Sequence, residues 1–169
     1  MGNLNQLVTN RPTWDNYFIG LAYYVSTRSH DLETQVGCVI VSQNRVISMG
    51  YNGFCAGLDD SLLPAPRPDK YPFMVHAEEN AISNMLINPP LAKTAYITHM
   101  PCNRCAKLLW QNGINNWIVP ENYRTHSYSK DDEVVYNHLV DNGLHIKYIK
   151  PDFSCITKWV LEQDDQKKD

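Results

Sequence analysis

The sequence predicts an α/β fold, a three-layer α-β-α sandwich around a mixed five-stranded sheet. Three observations carry this. Two short apolar runs, Cys38-Val39-Ile40-Val41 and Val46-Ile47-Ser48-Met49, flank Gln43-Asn44 and read as a hairpin. The second half alternates strand, helix, strand, helix, strand, which makes parallel pairs joined by right-handed crossovers. Glycines stand just past two of the helix-like segments, where a left-handed cap is expected.

Each element has a local reason. Thr13 can cap a first helix whose Phe18, Leu21, Ala22 and Val25 recur on one face. The hairpin follows. From Asn52 to Phe73 runs a long loop holding Pro64, Pro66, Pro68 and Pro72; loops of this length inside a compact domain are usually functional. A second helix is expected over His76 to Ile87, stopped by Asn88-Pro89-Pro90, and a strand over Thr94 to Thr98. A third helix spans Cys102 to Asn112 before Gly113, followed by a strand at Trp117-Ile118-Val119. A fourth spans Asp131 to Asn142 before Gly143, followed by a strand from His145 to Ile149. Ser154 can cap a last helix reaching about Gln163.

At 169 residues the chain is read as a single domain over 1–169, with 1–12 and 164–169 as flexible ends. A hydrophobic fraction of 43% fits a packed core rather than a disordered chain. No apolar run is long enough to span a membrane, and Met1 to Arg11 lacks the apolar stretch of a signal peptide. Five cysteines are an odd number; Cys38, Cys55 and Cys155 read as free, mostly buried thiols in a reducing compartment, which places the protein in a cytoplasm, or a host cytoplasm if it is viral. A net charge of −3 and a pI near 6.0 argue against DNA or RNA as substrate, because polyanion binding is dominated by basic side chains. They leave room for a single phosphomonoester, which one or two cations can hold.

The chemistry is concentrated in His76-Ala77-Glu78 and Pro101-Cys102-Asn103-Arg104-Cys105. An imidazole and two thiols make a three-donor zinc site with one position left for water, whereas structural zinc usually closes with four protein ligands. The metal ligands are therefore His76, Cys102 and Cys105, and Glu78 is left to move protons. Taken singly, Glu78 would be a first-turn helix acid favouring the dipole, and a lone Cys-x-x-Cys would also fit redox sites and zinc ribbons. Both halves in this order match the zinc-deaminase signature H-x-E…P-C-x-x-C.

Beyond those motifs, much of the chain resembles the deoxycytidylate (dCMP) deaminase family. Arg28-Ser29 with Thr34-Gln35-Val36-Gly37, the Gly50-Tyr51-Asn52-Gly53 loop, Lys70-Tyr71-Pro72-Phe73, Asn80-Ala81-Ile82, Cys105-Ala106-Lys107 and Gln111-Asn112-Gly113-Ile114 carry the likeness. The resemblance implies a cytidine-deaminase-like fold and hydrolysis of dCMP to dUMP and ammonia, supplying dUMP for dTMP synthesis. It implies catalytic zinc, with Glu78 as both base and acid. It also implies substrate contacts at Asn52 (sugar hydroxyl), Arg28 and Ser29 (5′-phosphate), Ala77, Pro101 and Tyr123. Bland readings stand beside these: Asn52 as a turn residue, Arg28 as a helix-end cation, Tyr123 as an exposed loop tyrosine.

An effector loop at Tyr51, Gly53 and Gly57, with dCTP activation, dTTP inhibition and Mg2+ on the triphosphate, is further implied, as is a homo-oligomer, hexameric in the family. Alternatives are a zinc deaminase acting on dCTP or a 5-modified dCMP, a nucleic-acid deaminase, or a non-catalytic zinc protein. Cys55 stands where the family has proline, which bears on regulation. Glu79 and Arg104 replace an apolar and an acidic residue, and are expected to pair between the two zinc helices. His30, His126, His138 and His145 lack ligand spacing and read as solvated. His99 stands where the family has an apolar residue, and a place in the pocket is its minority reading.

Overall fold

A computed structural model describes residues 11–64, 66–122 and 130–154. Helix α1 (Trp14–Ser26) starts at Thr13, whose hydroxyl accepts from the Asn16 N–H at 3.2 Å. Strands β1 (Gly37–Ser42) and β2 (Arg45–Tyr51) form the expected hairpin. Gln43 and Asn44 both take positive φ, 50° and 57°, the turn that matches strand twist.

The sheet is completed by β5 (Thr94–Ile97), β6 (Asn116–Pro120) and β7 (His145–Ile149), in the order β2-β1-β5-β6-β7. β1 runs antiparallel to β2 and β5, whereas β5, β6 and β7 are parallel, so the sheet is mixed as expected.

Every residue of β1 is buried, and the period of two explains why. Cys38 and Ile40 join one core with Ala77 and Ala81 of α2 (Ala77–Ser83), Ala106 and Leu109 of α3 (Asn103–Gln111) and Tyr136 and Leu139 of α4 (Lys130–Asp141). Val39 and Val41 join the other core with Phe18, Ile19, Ala22 and Val25 of α1. One helix thus covers one face and three the other, which is the three-layer arrangement. Gly113 and Gly143 adopt φ of +67° and +102° past α3 and α4.

Two details depart from expectation. Helix α2 ends at Ser83, short of Ile87, because Asn84 caps it and its side-chain amide donates to the Met49 carbonyl at 3.1 Å; Leu86 and Ile87 lie exposed beyond it. The long loop is closed at its base by a two-residue ladder, β3 (Gly53–Phe54) against β4 (Met74–Val75), too short to carry a sequence pattern. The helix expected from Ser154 to Gln163 falls almost wholly outside the described residues. Cys38 is a buried free thiol, Cys55 is exposed rather than buried, and Cys155 lies outside the described residues.

Gly50 sets the height of α2 over the sheet. A Cβ there would sit 2.3 Å from the Ala81 nitrogen and 2.5 Å from the Ala77 carbonyl oxygen. β2 therefore presses directly on the first turn of α2, the turn that carries Glu78.

A candidate metal centre and active site

Two helix starts meet at this site. His76 is the N-cap of α2, directly after β4; Cys102 is the N-cap of α3, shortly after β5; and Cys105 lies one turn into α3. His76 Nδ1 is 3.6 Å from Cys102 Sγ and 3.5 Å from Cys105 Sγ, and the three donor atoms all lie within 4.8 Å of one another. Tetrahedral zinc, with bonds of about 2.0–2.1 Å to nitrogen and 2.3 Å to sulfur, requires N···S separations of about 3.6 Å. The donor set therefore fits zinc in both chemistry and spacing, and its three protein donors, counted among the described residues, leave a fourth position to a small ligand.

The surroundings favour thiolate at Cys102. The Cys102 thiol is pulled down to about 3, first by its hydrogen bond with Cys105 and also by His76, against burial. His76 rises to about 9, chiefly through its hydrogen bond to Cys102, and Cys105 is pushed up by its hydrogen bond with Cys102 and by burial. Helix N-termini add to this preference for negative charge.

Glu78 is 3% exposed and lines the same cavity as His76 and Cys102. Burial pushes its carboxyl up to about 7, against its own backbone N–H and the His76 charge.

Second contacts brace the ligand segments. Glu79 accepts from the His76 backbone N–H at 2.9 Å and also pairs with Arg104, which lies between Cys102 and Cys105 in the sequence. The first turn of α3 is held from α4, where Asp132 accepts the Asn103 N–H at 2.9 Å.

The cavity holds about 290 Å³. Asn52 and Ala77 line it, as expected from sequence. Asn52 also ties two segments together: its Oδ1 accepts from the Val36 N–H at 2.7 Å and its Nδ2 donates to the Thr34 carbonyl at 2.9 Å. His99 lines the cavity too, against its majority reading; the one signal was its departure from the family's apolar choice.

Arg67 and Lys70 line the cavity and were not among the expected site residues. Lys70 is buried and donates to Asp31 and Glu33, each at 2.8 Å. Burial disfavours both charges of the Lys70–Asp31 pair. Their mutual attraction, with Glu33 beside Lys70 and the Glu33 and Thr34 N–H groups on Asp31, outweighs it: the Lys70 pKa is raised and the Asp31 pKa lowered. Lys70 was legible as part of a motif, but Arg67 sits in an irregular proline-rich loop where no periodicity marks a wall.

Other expected contacts lie elsewhere. The chain keeps turning after α1, with the Arg28 and Ser29 N–H groups donating to Val25 and Ser26. That turn delivers Arg28 to a second cavity rather than the first, and Ser29 is buried with its hydroxyl accepting from the Asp31 N–H at 3.2 Å. Pro101 is buried and its carbonyl accepts the Tyr136 hydroxyl, which binds it to α4 instead of the cavity wall. Tyr123 lies outside the described residues.

The second cavity, about 550 Å³, is lined by Arg28, Tyr51, Gly53, Gly57 and, from α2, Asn80 and Asn84. Asn80 donates to the Tyr51 carbonyl at 2.6 Å. Helix α2 thus forms a wall of both cavities.

Residues 12–121 match the family model of the cytidine and deoxycytidylate deaminase zinc-binding region. The deoxycytidylate deaminase of Homo sapiens is 35% identical over 89% of this chain and 86% of its own length, and that of Mus musculus 34% over 85% and 83%. Among solved structures, the dCMP deaminase of cyanophage S-TIM5 in complex with dCMP and dUMP shares the fold, with a TM-score of 0.63 at 22% identity over 83% of this chain and 99% of that one. The family's zinc-binding region spans both helix starts described above, and with relatives alike along most of both chains, this chain belongs to the cytidine and deoxycytidylate deaminase family.

Proposed function

We propose that this protein hydrolyses dCMP to dUMP and ammonia. The observation that carries the reading is the convergence of His76, Cys102 and Cys105 beside buried Glu78, in a chain with deoxycytidylate deaminase relatives along most of its length. His76, Cys102 and Cys105 would hold zinc, which when bound brings the pKa of water down toward about 7.

The protein's own groups do the rest. Glu78 takes the proton from the attacking water as its oxygen joins C4 of the cytosine. Glu78 then delivers that proton to ring nitrogen N3, takes the second proton from the new hydroxyl on C4 and passes it to the amine as the C4–N bond breaks, so one carboxylate serves as base and acid in turn. Asn52 and Ala77 would contact the nucleoside, Asn52 at the sugar hydroxyl. The dUMP produced would supply dTMP synthesis in the cytoplasm, where free thiols persist. A product assay with dCMP, dCTP, deoxycytidine and cytosine-containing single-stranded DNA tests the reading. Conversion of dCMP above the others supports it, and turnover confined to dCTP or DNA would refute it.

Regulation and assembly extend the proposal. The second cavity would receive a triphosphate effector, dCTP or dTTP, with Mg2+ on its phosphates. The expected loop residues Tyr51, Gly53 and Gly57 border it together with Arg28, a cation suited to phosphate. A homo-oligomer, hexameric as in the family, is the expected assembly. Light scattering with and without dTTP, alongside rates at sub-saturating dCMP, tests both.

A further inference from the structure

The first cavity presents two cations, but only one of them is available to a ligand. Lys70 is 3% exposed and its ammonium already serves two carboxylates, Asp31 and Glu33, each at 2.8 Å. Asp31 is as deeply buried and is fixed by the N–H groups of Glu33 and Thr34, at 2.9 and 3.2 Å. Lys70 is thus a structural post that joins the long loop to the segment before β1.

Arg67 is different. Its side chain is 38% exposed while lining the cavity. Its Nε meets Glu33 Oε2 at 2.5 Å and its Nη2 donates to Thr34 Oγ1 at 2.5 Å. A guanidinium has five N–H donors in a planar fork matched to carboxylate and phosphate. Two contacts along one edge orient that fork and leave its remaining donors without an acceptor among the described residues. Glu33 supplies this orientation from outside, since it touches Arg67 and Lys70 without forming a wall of the cavity.

We propose that Arg67 recognises the 5′-phosphate of the nucleotide, with Glu33 and Thr34 as positioning residues that aim it. This rests on the reading of the cavity as a deoxynucleotide site, and assigns to Arg67 the role that the sequence suggested for Arg28 and Ser29. The local charge supports it. Lys70, Arg67, Asp31 and Glu33 sum to zero, so the cluster is stable without ligand, and a phosphate engages an arginine that is already ordered.

The test compares ligands with and without phosphate. Calorimetry measures dUMP and deoxyuridine binding to the zinc-loaded wild type, Arg67→Gln, Arg67→Lys and Glu33→Gln, with thermal midpoints reporting folding. Arg67→Gln should weaken dUMP about tenfold to a hundredfold, the worth of a charged hydrogen bond, and leave deoxyuridine unchanged. Arg67→Lys should recover part of the loss, because the charge returns without the fork. Glu33→Gln should raise KM for dCMP without lowering kcat.

Equal weakening of both ligands in Arg67→Gln, or none, would overturn the proposal. If that variant fails to fold, the dUMP to deoxyuridine ratio in Arg67→Lys decides it: an unchanged ratio overturns it, a lowered one supports it. Absence of dCMP turnover by the wild type would instead sink the deaminase reading, while the binding ratios would still judge Arg67.

Discussion

Arg104 Nη2 lies 2.6 Å from Glu79 Oε1, joining the first turns of the two helices that carry the metal donors. The side chains differ in setting: Arg104 is 77% exposed and Glu79 only 10%. An ion pair open on one side is screened, so its coupling should be about 1 kcal/mol or less. A double-mutant cycle with Glu79→Gln and Arg104→Gln, read by urea unfolding, should show this non-zero coupling. Glu79→Gln should cost more than Arg104→Gln, because it also weakens the acceptor of the His76 N–H. Strictly additive costs would contradict the pairing.

Zinc should be lost when a thiol is removed. Cys102→Ala and Cys105→Ala each leave two of the three donors, too few to hold the ion against dialysis with a chelator. Metal analysis of the purified variants checks this, and full retention in both would exclude the donor set.

Glu78→Gln should keep zinc and fold but lose deamination by at least ~10²–10⁴, the usual worth of general acid–base catalysis. Gln is close in shape to Glu, so packing at this buried position is retained. Product formation under saturating dCMP is the readout. A rate within a few-fold of wild type would assign the proton transfers elsewhere.

The Lys70–Asp31 pair makes a pH-dependent contribution of defined sign. Asp31 is shifted down, so its share is complete above the ordinary carboxylate value of about 3.9 and fades as pH falls through its lower folded value. Lys70 is shifted up, so its share is complete below about 10.4 and fades as pH rises through its higher folded value. Asp31→Asn leaves a buried ammonium short of a partner and should cost roughly 3–5 kcal/mol at neutral pH. The gap between wild type and variant, followed by denaturant unfolding across pH, should close in acid. A gap undiminished in strong acid would contradict the pairing.

What was legible in the sequence follows physical range. The hairpin, the crossovers and the caps at Gly113 and Gly143 depend on neighbours a few residues apart, and periodicity and turn chemistry encode them. His76, Glu78, Cys102 and Cys105 were legible because ligand spacing on helix starts is itself local. Arg67 and the displacement of Arg28 were not. Both depend on how irregular backbone turns, one through the proline-rich loop and one past the end of α1, and no repeat records that. The early stop of α2 was hidden for a similar reason, since Asn84 answers to a strand carbonyl that is 35 residues away in the chain.

Helix α2, seven residues long, separates the two cavities. Ala77 and Glu78 face one, while Asn80 and the capping Asn84 face the other, so no long relay of contacts is needed for the cavities to communicate. Any ligand that moves α2 at Asn80 acts on a rigid body whose first turn carries Glu78. Reciprocity then follows from thermodynamics: whatever factor a ligand in the larger cavity imposes on affinity in the smaller one, occupancy of the smaller must impose in return. Under such coupling, a substrate analogue bound beside Glu78 would also probe the far side of the helix.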